Sequence, residues 1–358
     1  MSETELNRRA LLLTGCLIGG AAPAALAEGT ALGQPAGPGR EVPARWLPVP
    51  GTVSPELATV IARPLAAGWD SRPDSAAAWK DLVAASVEAA AGDIAKIKAT
   101  YGLRVSTDRI AGVSVFRIDP ATPAPEAEGR VLMHLHGGGY VFFPGEAGAG
   151  EGMLMAALAG WPVISVDYRM PPDHPFPAAL DDALAVWRAL AAQRDPGSIG
   201  VFGASAGGGL TLALMLAARD AGLPLPGAIA PGTPWADLTG AGDSLQANAF
   251  VDNVLVSPDG WSGAAALLYA AGRDLADPLI SPLQGDFAGF PPAMLTSGTR
   301  DLLLSQTVRA HRRLRQAGVV AELQVYEGQS HAQFLEPFVP ETEEAFREIG
   351  AFFARHLA

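Results

Sequence analysis

The chain has 358 residues, enough for one large domain or two modest ones, and 49% of them are hydrophobic, which provides ample material for a buried core. Its formal net charge of −12 disfavours nucleic acid and other polyanions as partners. The single cysteine, Cys16, lies near the start of the chain and excludes an internal disulfide, a thiolate metal cluster and cysteine-based catalysis.

Residues 1–27 have the pattern of an export signal. An arginine pair at residues 8–9 precedes an apolar stretch at residues 11–22, and Ala-Leu-Ala at residues 25–27 provides a small-x-small cleavage site. Because the arginine pair resembles a twin-arginine signal, we expect cleavage after residue 27 and a periplasmic or secreted protein. Two alternatives stay open: a cytoplasmic extension, and a lipoprotein box that ends at Cys16.

The next segments predict a linker followed by helices. Residues 28–50 are rich in Gly, Pro and Ala without periodicity, as is typical of a linker. Between residues 51 and 100, apolar residues spaced by three and four predict two or three helices, which we expect to contribute to a cap. Beyond residue 27 no apolar run approaches the roughly 20 residues of a spanning helix, so we expect no stable membrane insertion.

Residues 101–358 alternate short β-branched runs with helical segments, the pattern of a mostly parallel sheet covered by helices on both faces. The eight predicted strands are Leu103–Ser106, Val113–Ile118, Val131–Leu135, Val163–Tyr168, Gly200–Gly203, Ala228–Pro231, Ala293–Ser297 and Glu322–Tyr326. The predicted helices lie near Met153–Ala159, Ala178–Ala192, Ala206–Ala221, Ser262–Ala271, Ser305–Ala317 and Glu341–His356.

The connection before the seventh predicted strand is much longer than a βα connection requires. We expect an insertion near residues 236–275 to form, together with the N-terminal helices, a helical cap. Such a cap would lie over the carboxyl edge of the sheet, where ligands bind in open α/β folds.

The strongest local motif is Gly-Ala-Ser-Ala-Gly at residues 203–207, between an apolar strand and a helical run. A sharp turn from strand to helix leaves no room for side chains two positions before and after the serine, which explains the glycines. The turn places Ser205 at a helix N-terminus, where backbone donors favour developing negative charge. This context favours a nucleophilic serine over the alternative, a turn made of small residues.

A second motif, His-Gly-Gly-Gly-Tyr, occupies residues 136–140 directly after a predicted strand. Consecutive glycines let the backbone approach a substrate carbonyl and direct N–H groups at the oxygen that becomes negative. We predict Gly138, Gly139 and Ala206 as the donors of an oxyanion hole. The alternatives are a flexible turn or a phosphate loop, although no Lys-Ser or Lys-Thr follows, as a nucleotide loop would require.

A serine nucleophile needs a base, and after a strand–serine–helix turn the base follows the orienting acid in the chain. His331 is predicted at the carboxyl end of the last strand, whereas His311 lies in an arginine-rich helix and His356 ends the terminal helix, so neither of these two needs a function. Elimination therefore leaves His331 as the base.

Asp301 lies just beyond the predicted strand Ala293–Ser297, at the sheet edge where His331 is expected. Its carboxylate would hold one ring nitrogen of His331 and stabilise the imidazolium that forms on proton transfer. The competing carboxylates are in the long insertion, where structural capping is the expected role: Asp237, Asp274 and Asp277.

These motifs resemble the bacterial hormone-sensitive-lipase-like (family IV) esterases of the α/β-hydrolase superfamily. The resemblance covers about residues 100–358 and is carried by HGGGY (136–140), DYRMPPDHPFPAA (167–179), GASAGG (203–208) and DPLISP (277–282). The stretches SGTRDLLLSQT and YEGQSHAQF look most like the branch of monoterpene ε-lactone hydrolases. This chain departs from the family pattern at Ala204, the position before the serine, where family members commonly have Asp.

The resemblance implies an α/β-hydrolase fold with a helical cap, the triad Ser205, Asp301 and His331, and no metal or organic cofactor. It implies a serine carboxylester hydrolase acting through an acyl-enzyme on short to medium acyl esters or lactones. A homodimer is a separate expectation about assembly. Tyr140 and Phe142 are expected to line the substrate pocket. The alternatives are a ligand-binding protein on the same fold, acyl transfer to an alcohol or amine, and amidase action.

Overall fold

The computed structural model describes residues 39–358. The predicted signal at residues 1–27 and the first part of the predicted linker therefore lie outside the described residues. Residues 39–54 contain no helix or strand and precede the first helix of the described residues.

Within the described residues, two helices precede the sheet, α1 (Pro55–Ile61) and α2 (Ala76–Tyr101). Each begins after a serine, Ser54 or Ser75, whose hydroxyl accepts a backbone N–H of the first turn. Helix α2 ends at Gly102, whose φ of 60° is the left-handed conformation that glycine adopts without a Cβ penalty.

The described strands form one eight-stranded sheet in the order β1-β2-β4-β3-β5-β6-β7-β8. They are β1 (Arg104–Ile110), β2 (Val113–Asp119), β3 (Val131–Leu135), β4 (Val163–Val166), β5 (Ile199–Ala204), β6 (Ala228–Gly232), β7 (Ala293–Gly298) and β8 (Ala321–Tyr326). Strand β2 is antiparallel to both β1 and β4, and the pairs from β4 to β8 are parallel. The predicted fold, a mostly parallel sheet with helices between its strands, is confirmed.

The remaining helices alternate with the strands. They are α3 (Gly150–Ala159), α4 (Ala178–Gln193), α5 (Ala206–Asp220), α6 (Ser244–Ala247), α7 (Trp261–Ala270), α8 (Leu304–Gln316) and α9 (Pro340–His356). None of the helices within residues 39–358 combines the length and the apolar character that crossing a bilayer requires.

Two hydrophobic cores cover the two faces of the sheet. Because successive side chains of a strand point to opposite faces, Met133 belongs to the core that contains α4, α5 and α8, while its neighbour Leu132 belongs to the core that contains α3 and α9. In strand β5, Val201 likewise belongs to the first core and its neighbour Phe202 to the second. Burial on both faces explains why these strands read as continuous apolar runs.

The connection between β6 and β7 contains α6 and α7 and hydrogen-bonds to the segment between α1 and α2. The N–H of Ala66 donates to the carbonyl of Asn253 at 2.9 Å, and the N–H of Trp261 donates to the carbonyl of Trp69 at 2.9 Å. The two chain segments that were expected to form the helical cap therefore lie against each other, and Trp261 places them beside Ser205.

Candidate active site

Ser205 lies in the turn between β5 and α5 with φ 58° and ψ −122°, a strained backbone conformation for a residue other than glycine. Hydrogen bonds fix this turn on both sides. The N–H of Ser205 donates to the Gly232 carbonyl at 2.9 Å, and its own carbonyl accepts the N–H of Trp235 at 2.8 Å. The sheet thus holds the hydroxyl at the carboxyl end of β5.

The two glycines of the turn allow the elbow to touch the end of β3. A Cβ atom placed on Gly203 or on Gly207 would overlap the carbonyl oxygen of Leu135. Only hydrogen in place of a side chain permits this approach, which brings the loop after β3 next to Ser205.

The structure brings together Ser205, His331 and Asp301, although 126 residues separate the serine from the histidine. The Nε2 atom of His331 lies 2.9 Å from the Ser205 Oγ, and its Nδ1 atom lies 3.0 Å from the Asp301 Oδ1. These distances are those of ordinary hydrogen bonds. The imidazole is therefore placed between a hydroxyl and a carboxylate, as a serine nucleophile requires.

Asp301 is fully buried, yet its pKa is lowered. Burial by itself raises the pKa, but the charge of His331 and hydrogen bonds from His331, Ser297 and Thr233 outweigh it. The Leu303 N–H also donates to Oδ1 at 2.8 Å. The carboxylate is thereby held in its charged form beside the imidazole.

Sequence reasoning missed Thr233 and Ser297, the two hydroxyl residues that hold the Asp301 carboxylate. The Ser297 Oγ donates to Asp301 Oδ2 at 2.6 Å, and the Thr233 Oγ1 donates to the same oxygen. Both residues lie at carboxyl ends of strands, Thr233 directly after β6 and Ser297 within the end of β7. That position was the available signal, because these ends meet at the edge that carries Asp301 and His331.

The predicted oxyanion donors lie next to Ser205. Gly138 and Gly139 line the same cavity as Ser205, and Ala206 follows it directly in the chain. Gly138 and Gly139 have φ values of 100° and 62°, and within residues 39–358 no acceptor takes the N–H of either one. A Cβ on Gly138 would come within 2.7 Å of the Phe142 carbonyl oxygen, so this tight loop requires glycine. Ala206 is the first residue of α5, and its N–H therefore has no acceptor inside the helix.

His136 fixes the start of this glycine loop. Burial lowers its pKa to about 3, so the ring is neutral, and its Nδ1 lies 2.8 Å from the Gly137 carbonyl oxygen, to which it donates. The ring stacks on Tyr168 with centroids 4.1 Å apart, and the Tyr168 hydroxyl donates to the His136 carbonyl at 2.6 Å. The loop is therefore held by a neutral hydrogen-bonded ring.

Two cavities, of about 50 Å³ and 80 Å³, open on Ser205. Gly139, Leu255 and Trp261 border both of them, so the cap residues Leu255 and Trp261 separate the two. The residues that line the first cavity alone include His331, Phe142, Phe143 and Leu335. Those that line the second alone include Trp235, Leu238, Leu245 and Leu302.

The two aromatic residues expected in the pocket differ in their placement. Phe142 lines the first cavity, but Tyr140 lines neither one. The Tyr140 backbone has φ 63°, and its ring stacks on Tyr269 with centroids 3.9 Å apart. Tyr140 is therefore not a wall residue of these two cavities, and its ring packs on Tyr269 instead.

The competing carboxylates have partners away from Ser205. Asp274 and Asp277 each accept a backbone N–H two residues further along, at 2.9 Å. Asp237 forms an ion pair with Arg309 at 2.7 Å. Within the described residues, no group of three or more His, Cys, Asp or Glu side chains is arranged to hold a metal ion.

Comparison with known proteins agrees with this geometry. A family described as having the alpha/beta hydrolase fold matches residues 132–335. An acetyl-hydrolase of Streptomyces hygroscopicus is 35% identical over 63% of this chain and 75% of its own, and the putative acetyl-hydrolase LipR of Mycobacterium tuberculosis is 32% identical over 73% and 83%.

Solved structures give the same result. The crystal structure of esterase E25 is 42% identical, covers 89% of this chain and 99% of its own, and superimposes with a TM-score of 0.87. An esterase from the bacterial hormone-sensitive lipase family is 31% identical. It covers 77% of this chain and 92% of its own, with a TM-score of 0.70. With its family match, relatives and fold in agreement, the chain belongs to the α/β-hydrolase fold family.

Proposed function

We propose that this protein is a serine carboxylester hydrolase that acts on short to medium acyl esters through an acyl-enzyme. The observation that carries the proposal is the continuous hydrogen-bonded chain from Ser205 through His331 to Asp301, with separations of 2.9 and 3.0 Å. Relatives named acetyl-hydrolase and esterase support the same reaction class.

In the proposed mechanism, His331 Nε2 takes the proton of Ser205 as the hydroxyl oxygen attacks the ester carbonyl. The N–H groups of Gly138, Gly139 and Ala206 stabilise the oxygen that becomes negative. His331 then gives its proton to the leaving alcohol, and water repeats the two steps on the acyl-enzyme. Throughout, Asp301 holds the ring and stabilises the imidazolium.

The proton transfer in this mechanism indicates which part of the ester occupies each of the two cavities. The leaving alcohol must receive its proton from His331, so it lies in the cavity of about 50 Å³ that His331 borders. The acyl group then occupies the cavity of about 80 Å³, whose walls include Trp235, Leu238 and Leu302. Apolar walls of this size favour short acyl chains over the chains of long triglycerides.

Lactones are a second proposed substrate class. A lactone carries its acyl and alkoxy parts in one ring, so the ring must reach both cavities past Leu255 and Trp261, the two cap residues that border both. Ring opening passes through the same kind of tetrahedral intermediate as ester hydrolysis. Comparing kcat/KM across lactone ring sizes and acyl lengths would identify the preferred class.

Stopped-flow hydrolysis of p-nitrophenyl acetate tests the proposed function. An acyl-enzyme that is slow to hydrolyse releases a burst of p-nitrophenol equal to the concentration of active sites. Added alcohols that speed turnover would instead indicate acyl transfer, and the corresponding acyl amides test amidase action. A protein that neither releases p-nitrophenol nor reacts with a fluorophosphonate would contradict the proposal and favour a ligand-binding role.

We also propose export of the protein and its assembly as a homodimer. Export rests on the arginine pair and the cleavage pattern within residues 1–27, and the N-terminal sequence of the mature protein tests it. The dimer is supported by the edge strand β8, which is only half-buried and exposes Val325. Sedimentation of wild-type protein and of Val325→Lys would measure this assembly.

A further inference from the structure

A second buried carboxylate, that of Asp252, lies beside the proposed triad. Its side chain is fully buried, and its two oxygens accept four backbone N–H groups. The Oδ1 atom accepts from Val254 at 2.8 Å and from Leu255 at 3.0 Å. The Oδ2 atom accepts from Leu302 at 2.7 Å and from His331 itself at 3.1 Å.

The four donors belong to three different segments. Val254 and Leu255 follow Asp252 in the β6–β7 connection, Leu302 directly follows Asp301 after β7, and His331 follows β8. One carboxylate oxygen thus ties the backbone of the proposed base to the backbone next to its orienting acid. A side chain from the β6–β7 connection therefore bridges these two loops.

The neighbouring residue, Asn253, fixes Asp252 from the other side. Its Nδ2 donates to the carbonyls of Val60 at 3.2 Å and Arg63 at 3.1 Å, at the end of α1. Its Oδ1 accepts from Gln333 at 2.8 Å, two residues after His331. Through Asn253, the chain next to Asp252 is therefore tied to the end of α1 and to the loop that carries the base.

The charge of Asp252 also acts on the triad. Burial raises the pKa of Asp252 to about 6, with a further increase from Asp301, while His331 and the hydrogen bonds from Leu302 and Val254 lower it. The charged groups that act on it are therefore one carboxylate and one imidazole, both in the proposed triad. The Asp252 carboxylate therefore lies beside the imidazole that becomes positively charged during the proposed acyl transfer.

We propose that Asp252 is a positioning residue for His331 and Asp301, which sets the separation of their loops and stabilises the imidazolium formed during acyl transfer. The inference rests on the proposed function, because it assigns the imidazole a proton-transfer role. Asp252 does not border Ser205 or either cavity, and it acts through the two other residues.

The test compares Asp252→Asn with Asp277→Asn. In the wild-type protein each carboxylate oxygen accepts one pair of backbone N–H groups. An asparagine has only one oxygen and presents its NH₂ group to the second pair of N–H groups, which therefore loses its acceptor. Asp277 caps a backbone N–H in the same connection at 2.9 Å without contact to the triad, and its variant serves as the control. We measure kcat, KM and the pH dependence of kcat/KM with p-nitrophenyl acetate, and check folding by thermal unfolding.

We expect Asp252→Asn to lower kcat by about tenfold to a hundredfold with little change in KM, since small displacements of reacting groups have effects of this size. Removing the negative charge makes the imidazolium less favourable, so the acid limb of kcat/KM moves to lower pH. A purely structural role would lower thermal stability without moving that limb. Wild-type kcat together with an unmoved acid limb would overturn the inference.

Asp252→Glu provides a second variant in case the asparagine variant does not fold. It keeps the charge but adds a methylene to a fully buried site, so kcat should fall while the acid limb stays in place; wild-type kcat in this variant would contradict a positioning role. Labelling with a fluorophosphonate separates the two hypotheses. If the wild-type protein is not labelled, the proposed function itself fails, whereas a labelled and active wild type with an unaffected Asp252→Asn variant refutes the inference alone.

Discussion

The Thr233 hydroxyl donates to Asp301 Oδ2, and its own oxygen, Oγ1, lies 3.1 Å from His331 Nδ1. A hydroxyl has one proton, so the proton of Nδ1 is shared between the Asp301 carboxylate and the threonine oxygen. Thr233 therefore orients both members of the pair at once, from the end of β6. This position lies between the strands that carry Ser205 and Asp301, since β6 pairs with β5 and β7.

Thr233→Val should lower kcat by roughly tenfold, because Asp301 then loses a hydrogen bond worth about 1–3 kcal/mol and the ring loses a second contact. KM should change little. The control is Thr342→Val in α9, whose buried hydroxyl donates to the Glu336 carbonyl at 2.7 Å. Steady-state kinetics at one pH measure the effect, and equal losses of activity in the two variants would show that Thr233 has no special role.

Ser205→Ala should reduce kcat by a factor on the order of a million, because the variant has no nucleophile and no acyl-enzyme can form. The fold should be unchanged, since the turn is held by backbone hydrogen bonds that alanine also makes. Ester hydrolysis and thermal unfolding are measured on the same preparation. Retention of wild-type ester hydrolysis would refute the assignment of the nucleophile.

The sheet and the three proposed catalytic residues could be predicted because each depends on chain order and strand ends. Ser205, Asp301 and His331 follow β5, β7 and β8, and parallel strands place their carboxyl ends at one edge. Thr233 and Asp252 could not be predicted in this way. A single hydroxyl or carboxylate carries no motif, and its contact with the triad depends on the packing of distant loops.

The sequence predicts Tyr140 as a pocket residue, but it does not line the two cavities beside Ser205. An aromatic residue after the three glycines suggests a pocket wall, but the Tyr140 ring stacks on Tyr269 and lines neither of the two cavities. Sequence spacing does not reveal this contact, because Tyr269 lies in the distant connection between β6 and β7. The next aromatic residue, Phe142, lies at the cavity.

Gly138→Ala should lower kcat by about a hundredfold or more, because a Cβ within 2.7 Å of the Phe142 carbonyl displaces the loop that presents the oxyanion donors. Gly145→Ala is a matched control. Gly145 also has a positive φ, 71°, but a Cβ there meets no atom within 4 Å, so this variant bears the backbone strain alone. Kinetics with p-nitrophenyl acetate test the difference, and equal kcat values in both variants would contradict the proposed oxyanion loop.

Trp261→Leu should shift the substrate preference toward longer acyl chains. The indole borders both cavities and contacts the Phe142 ring edge-on at 5.1 Å, so a smaller side chain joins the two spaces. The measurement is the ratio of kcat/KM for p-nitrophenyl octanoate to that for the acetate. Trp187→Leu, at a fully buried indole that lines neither cavity, controls for lost packing; an unchanged ratio in Trp261→Leu would show that the cap does not limit chain length.

His136 should make the stability of the fold depend on pH. Burial lowers its pKa from an ordinary 6.5 to about 3. Between these two pH values the imidazole binds a proton in the unfolded chain but not in the folded protein. The free energy of unfolding therefore rises with pH across this window, and it decreases as the pH falls from 6.5 toward 3. The full effect of such a difference is roughly 5 kcal/mol.

His136→Asn removes the titrating ring, while its side-chain amide can still donate toward the Gly137 carbonyl. We expect this variant to be less stable than the wild-type protein at pH 7, because it loses the stacking on Tyr168, but to lose less stability on acidification. Urea unfolding at several pH values between 4 and 7 measures both slopes. His174→Asn, at an exposed histidine, should keep the wild-type slope. If the wild-type and His136→Asn slopes were parallel, the neutral buried ring would not be the source of the acid sensitivity.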